Sequence, residues 1–168
     1  MVEWFDDLTI GMTFKSGEAV VSREDIKRFA AEFDPQPFHM DEEAAEKTIL
    51  KGLAASGWHT AAIAMRLAAE ARPFGPHPLF GAGVDELRWL KPVRPGDTLH
   101  LEGEVVDLVL VQRHVEFLCR CRLLTGRPSS GGPGTEIYHL VESPSSPGAA
   151  PVAVRPGPHR RLGMRRSH

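Results

Sequence analysis

An acid and an imidazole, Asp34 and His39, stand five residues apart in the run Phe33-Asp34-Pro35-Gln36-Pro37-Phe38-His39-Met40-Asp41. Pro35 and Pro37 lie between them, each locking its own φ and restricting the residue before it. Both side chains therefore sit on a stiffened loop, and their mutual geometry is partly set before any substrate arrives. Proton transfer needs donor and acceptor at about 3 Å, so such stiffening serves general acid–base work. Eighteen residues after His39 comes Gly57, preceded by Ser56, at the start of the most helical stretch of the chain. The first N–H groups of a helix have no partner within it, and its positive dipole end points outward. Gly57 has no side chain to obstruct a carbonyl oxygen approaching its N–H, which is the requirement of an oxyanion site.

These groups need elements to position them. A short extended segment is predicted at 12–15, then a helix opened by Ser22 as N-cap, with Asp25 completing a capping-box pattern. That helix runs to about Phe33, with Ile26, Phe29, Ala30 and Phe33 on one stripe. The prolines exclude a helix over 34–39, and Asp41 then caps a second short helix reaching about Thr48. From Trp58 to Ala71 the chain is slim, with six alanines, and apolar almost all round, which predicts a helix buried on most faces. Strands are expected at 83–90, 98–110 and 115–123, where apolar and polar residues alternate, with Pro95-Gly96 in a type II turn. The fold class is α+β, an antiparallel sheet packed on one central helix.

At 168 residues the chain is long enough for one compact domain and short for two. A net charge of -2 and a pI near 6.4 offer nothing to nucleic acid or to an acidic membrane surface. The longest apolar stretch, 61–69, is broken by Arg66 and too short to span a bilayer. The acidic start lacks the pattern of a secretory signal. Cys119 and Cys121 lie on one face of an expected strand, where a mutual disulfide would be strained. They read as small core residues in a reducing cytoplasm, with no accompanying cluster to make a zinc site.

In these motifs the sequence resembles the MaoC-like dehydratases, or (R)-specific enoyl-CoA hydratases. Asp34, Pro37, His39 and Ala45 match the family signature in register; Gln36 stands where Asn is usual, and Ser56-Gly57 where His-Gly is usual. The stretches 55–60 and 83–90 are similar as well, and the resemblance covers residues 5 to about 123. It implies a hot-dog fold, a curved antiparallel sheet wrapped around one long central helix, in a homodimer acting on acyl-CoA in fatty acid metabolism. It implies that Asp34 and His39 bind and activate water and that the Gly57 N–H holds the thioester oxygen. The reaction would be hydration of a 2-enoyl-CoA to a 3-hydroxyacyl-CoA, or its reverse, with no metal or redox cofactor.

Each residue also has a plainer use. Taken singly, Asp34 reads as a turn residue before Pro35 and His39 as a satisfied half-buried histidine; their combination with the prolines and Ser56-Gly57 favours the functional reading. Ser56 is a candidate for substrate binding and equally a helix cap. Asp41 reads as a cap and His59 as structural. Arg88 and Lys91 are within the range of residues that meet a CoA phosphate, but read as solvated strand charges. A hot-dog thioesterase and a non-catalytic acyl-CoA-binding subunit are the competing functions.

The C-terminal third departs from the family. After the expected domain, 1–126, the stretch 127–142 is poor in strand formers at its start, where the family has a long apolar strand inside the sheet. Residues 127–134 are excluded from an interior strand by their prolines and glycines, and only Ile137 to Val141 could form a short one. This abrupt change is what a shifted reading frame would produce. The tail 143–168, rich in Pro and Arg, is expected to be disordered.

Overall fold

The structure, a computed structural model, describes residues 7–76, 80–111, 114–125 and 133–144. Its elements in chain order are β1 (Thr13–Val20), α1 (Arg23–Phe33), α2 (Pro37–Met40), α3 (Glu42–Glu46), α4 (Gly57–Ala71), β2 (Phe80–Trp89), β3 (Thr98–Val111), β4 (His114–Thr125) and β5 (Pro133–Pro144). The five strands form one antiparallel sheet in the order β1-β3-β4-β5-β2. Helix α4 packs on β1 and β3, giving the hot-dog arrangement of one long helix held by a curved sheet.

Local signals account for most element ends. The Ser22 hydroxyl accepts the Asp25 N–H at 3.0 Å and opens α1. Asp41 accepts the Ala44 N–H at 2.7 Å and opens α3, which ends at Glu46. Between β2 and β3 the Asp97 N–H donates to the Arg94 carbonyl at 3.1 Å, with Gly96 at φ 81°, so the Pro95-Gly96 pair makes the expected type II turn. Alternation in β3 and β4 sends Leu99, Leu101, Val105, Cys119, Cys121 and Leu123 into the core, where they meet Val21, Ile26, Ile63 and Leu67. The two thiols lie 3.5 Å apart and buried. The contact with the Cys119 thiol first, and burial second, push the Cys121 thiol far up.

Three expectations are corrected. The segment before His39 is not free of helix: α2 is a single turn with Pro37 at its first position, where a missing N–H costs nothing. Helix α4 is not buried on most faces. His59, Thr60, Ile63, Ala64 and Leu67 are buried, whereas Trp58 and Met65 are exposed. Small residues had suggested all-round burial, but in one chain the sheet covers only one side.

The third correction concerns the last strand. Residues 133–144 form a twelve-residue strand inside the sheet, paired with β4 on one side and β2 on the other. Pro133 and Pro144 stand at its two ends, where a lost ladder donor matters least, and Thr135 to Glu142 between them is rich in strand formers. The expected unit 127–142 thus contains most of an interior strand. The stretch 127–132 and the tail beyond Pro144, including the expected disorder there, lie outside the described residues.

Candidate active site

Asp34 ends α1 and His39 lies in α2, so one turn of chain stiffened by Pro35 and Pro37 delivers both groups. The His39 Nε2 and the Asp34 Oδ2 are 3.4 Å apart. His39 is buried, and its Nδ1 lies 2.7 Å from the Ala54 carbonyl oxygen. A carbonyl only accepts, so Nδ1 carries the proton, and in the neutral ring Nε2 presents a lone pair toward the carboxylate. In this protonation state both groups are acceptors, and only a donor can join them. A water molecule, with two O–H groups, is the smallest one.

Asp34 is held from two sides. The Ser56 hydroxyl donates to Oδ2 at 2.6 Å and the Gln36 amide donates to Oδ1 at 2.7 Å. The Ser56 bond first and the Gln36 bond second keep the carboxyl below its ordinary value of 3.8, against an opposing effect of burial and with a smaller contribution from His39. The carboxylate is therefore ionised at neutral pH. Ser56, fully buried, also accepts the Trp58 N–H at 3.2 Å, so one hydroxyl caps α4 and grips the acid.

Asp34, His39, Ser56 and Gly57 open on one cleft of about 400 Å³, whose other walls include Leu50, Val93 and the indoles of Trp58 and Trp89. Gly57 is the first residue of α4. The Trp89 indole lies against it so closely that a Cβ at position 57 would come within 2.6 Å of Nε1. The two indoles meet edge to face at 5.8 Å.

All four residues singled out from the sequence thus meet at one place. Ser56 is turned toward Asp34 and caps α4, the second of the two uses the sequence offered for it, and it also lines the cleft. His59 is buried and stacked on Phe29 at 4.7 Å, outside the cleft lining, in line with a structural role. Arg88 pairs with Glu86, while Lys91 lines the cleft. Gln36, Ala54 and Trp89 were not foreseen as site residues. Gln36 had a signal, its place two residues after Asp34 in a rigid loop; the Ala54 carbonyl had none, because any residue type supplies one.

The sequence profile described as the MaoC like domain matches residues 7–120. The chain belongs to the MaoC-like family. This MaoC-like protein is 40% identical to the MaoC-like dehydratase from Rhodospirillum rubrum, whose crystal structure superposes with a TM-score of 0.78 over 86% of this chain and 98% of that one. It is 43% identical over 102 residues to the uncharacterized protein YdeM of Bacillus subtilis, covering 61% of this chain and 72% of that protein. It is 28% identical over 161 residues to the 3-hydroxybutyryl-CoA dehydratase of Methylorubrum extorquens, spanning 93% of this chain and 94% of that one.

Proposed function

We propose that this MaoC-like protein is a hydro-lyase that adds water to a 2-enoyl-CoA, or removes it from the 3-hydroxyacyl-CoA. The observation that carries the reading is the pair of facing acceptors, an ionised Asp34 carboxylate and a His39 Nε2 whose ring is fixed by Ala54, at 3.4 Å beside a helix N-terminus. A water held by both donates one hydrogen to each. As its oxygen bonds to C3 of the enoyl chain, one of the pair takes the proton and returns it to C2. The thioester oxygen gains negative charge in this step, and in this reading it is received by the N–H of Gly57, the first residue of α4. The thioester itself acidifies the carbon, so the reaction needs no metal or redox cofactor. Positioned acid–base groups contribute on the order of 10²–10⁴, and one oxyanion donor roughly 10²–10³.

We place the active form as a homodimer. Strand β2 is an edge of the sheet, and Val84, Trp89 and Leu90 are exposed on or beside it, with Trp58 and Met65 on α4. An unpaired edge with apolar neighbours is a template for pairing with a second copy. Light scattering would show twice the chain mass.

Hydration of crotonyl-CoA, followed by the loss of enoyl-thioester absorbance, tests the activity. Asp34→Asn and His39→Ala should each lower kcat by roughly 10²–10⁴. Hydrolysis of saturated acyl-CoA in place of hydration would turn the assignment to a thioesterase. Binding without either turnover would turn it to an acyl-CoA-binding subunit.

A further inference from the structure

Arg94 lies outside the catalytic pair, yet its guanidinium is spent on the backbone of the loop that leads into the site. Nη1 donates to the carbonyl of Leu53 at 3.1 Å and to that of Gly52, and Nη2 donates to that of Leu50. This loop needs holding. Lys51 has φ 50° and Gly52 φ 129°, conformations that L side chains rarely adopt. A carboxylate would pair with the charge of an arginine. Three carbonyls at fixed spacing instead use the planar geometry of its fork.

The residue after Leu53 is Ala54, whose carbonyl takes the His39 Nδ1–H at 2.7 Å. The next N–H, of Ala55, donates to the Val93 carbonyl at 2.9 Å. Val93 and Arg94 therefore grip the chain on both sides of Ala54. Their own place is fixed, because the Arg94 N–H donates to the buried Asp97 carboxylate at 2.7 Å and the Val21 N–H donates to the Asp97 carbonyl at 2.9 Å.

We propose that Arg94 is a positioning residue for the reaction: by holding the Leu50, Gly52 and Leu53 carbonyls it sets the Ala54 carbonyl that fixes the His39 tautomer and ring plane. This rests on the hydratase reading for its kinetic consequence but not for its structural one. Without the fork, the loop relaxes toward ordinary φ, the Ala54 carbonyl moves, and His39 loses the contact that keeps its Nε2 free for the shared water. A displacement of about 1 Å remote from the chemistry can cost on the order of 10²-fold.

The test uses the full chain with Arg94→Met and Arg94→Lys. The His39 tautomer is read from the ¹⁵N shifts of its ring, assigned by their loss in His39→Ala. Wild type should show a protonated Nδ1. Arg94→Met should show mixed tautomers and a kcat for crotonyl-CoA lower by roughly 10- to 100-fold with KM little changed. Arg94→Lys, which keeps the charge but not the fork, should fall between. A wild-type tautomer with unchanged kcat in both variants overturns the proposal, as does a kcat loss matched by an equal loss of folded protein. If wild type hydrates nothing, the hydratase reading fails, while the tautomer shift still decides whether Arg94 sets His39.

Discussion

Removing the Ser56 hydroxyl should weaken the fold and retune Asp34 in one step. In Ser56→Ala the N-cap of α4 is lost, costing about 1 kcal/mol. The bond to the carboxylate is lost as well, for which about 1.5–3 kcal/mol is usual when one partner is charged. The Asp34 side chain is 20% exposed, so solvent screening puts this contact at the low end, about 1.5 kcal/mol. A total near 2.5 kcal/mol lowers Tm by about 7 °C for a chain of this size. The pH dependence gives the sharper reading. In the folded wild type the carboxyl lies below 3.8, so its stabilisation is present above that pH and is lost as pH falls through the folded value. Ser56 is the largest cause of that lowering, and its removal should shrink the gap in stability between the two proteins as the solution is acidified from pH 7 to 3. The acid limb of crotonyl-CoA hydration should move to higher pH for the same reason. Calorimetry across this range and a pH–rate profile check both. A gap of the same size at every pH, with an unmoved acid limb, would refute the reasoning that Ser56 holds the ionised form.

Gly57→Ala brings a Cβ within 2.6 Å of the Trp89 indole nitrogen, and the half-exposed ring must shift. Hydration should fall by roughly 10- to 100-fold while the melting point moves little, because alanine suits a first helical position; an unchanged kcat/KM would remove Gly57 from the mechanism. Burial holds His59 below its ordinary value of 6.5, with nearby Arg28 and Arg66 adding to the effect against Asp25. The unfolded chain therefore binds the proton more readily, and stability should fall as pH drops below 6.5. His59→Phe keeps the stack on Phe29, spends no hydrogen bond at Nδ1, which has no partner among the described residues, and should flatten that slope. Urea midpoints at pH 5 and pH 8 decide it, since an equal difference between wild type and variant at both would discard the explanation.

What could be seen in the chain alone was whatever is encoded within a few residues. Ser22 and Asp41 announce helix starts through their own hydroxyl and carboxylate, Pro95-Gly96 announces its turn, and alternation marks β3 and β4 because a pleat repeats every two residues. Asp34 and His39 were legible as a pair since only four residues, two of them proline, separate them. Tertiary structure decided the rest. Ser56 reaches Asp34 across 22 positions, a contact that no local pattern encodes. The Ala54 carbonyl and the Arg94 fork act through the main chain, which carries no residue-type signature. Residues 133–144 become an interior strand because the free edges of β4 and β2 offer backbone partners on both sides, a demand that local composition does not register. How far α4 is buried likewise depended on how much of it one sheet can cover.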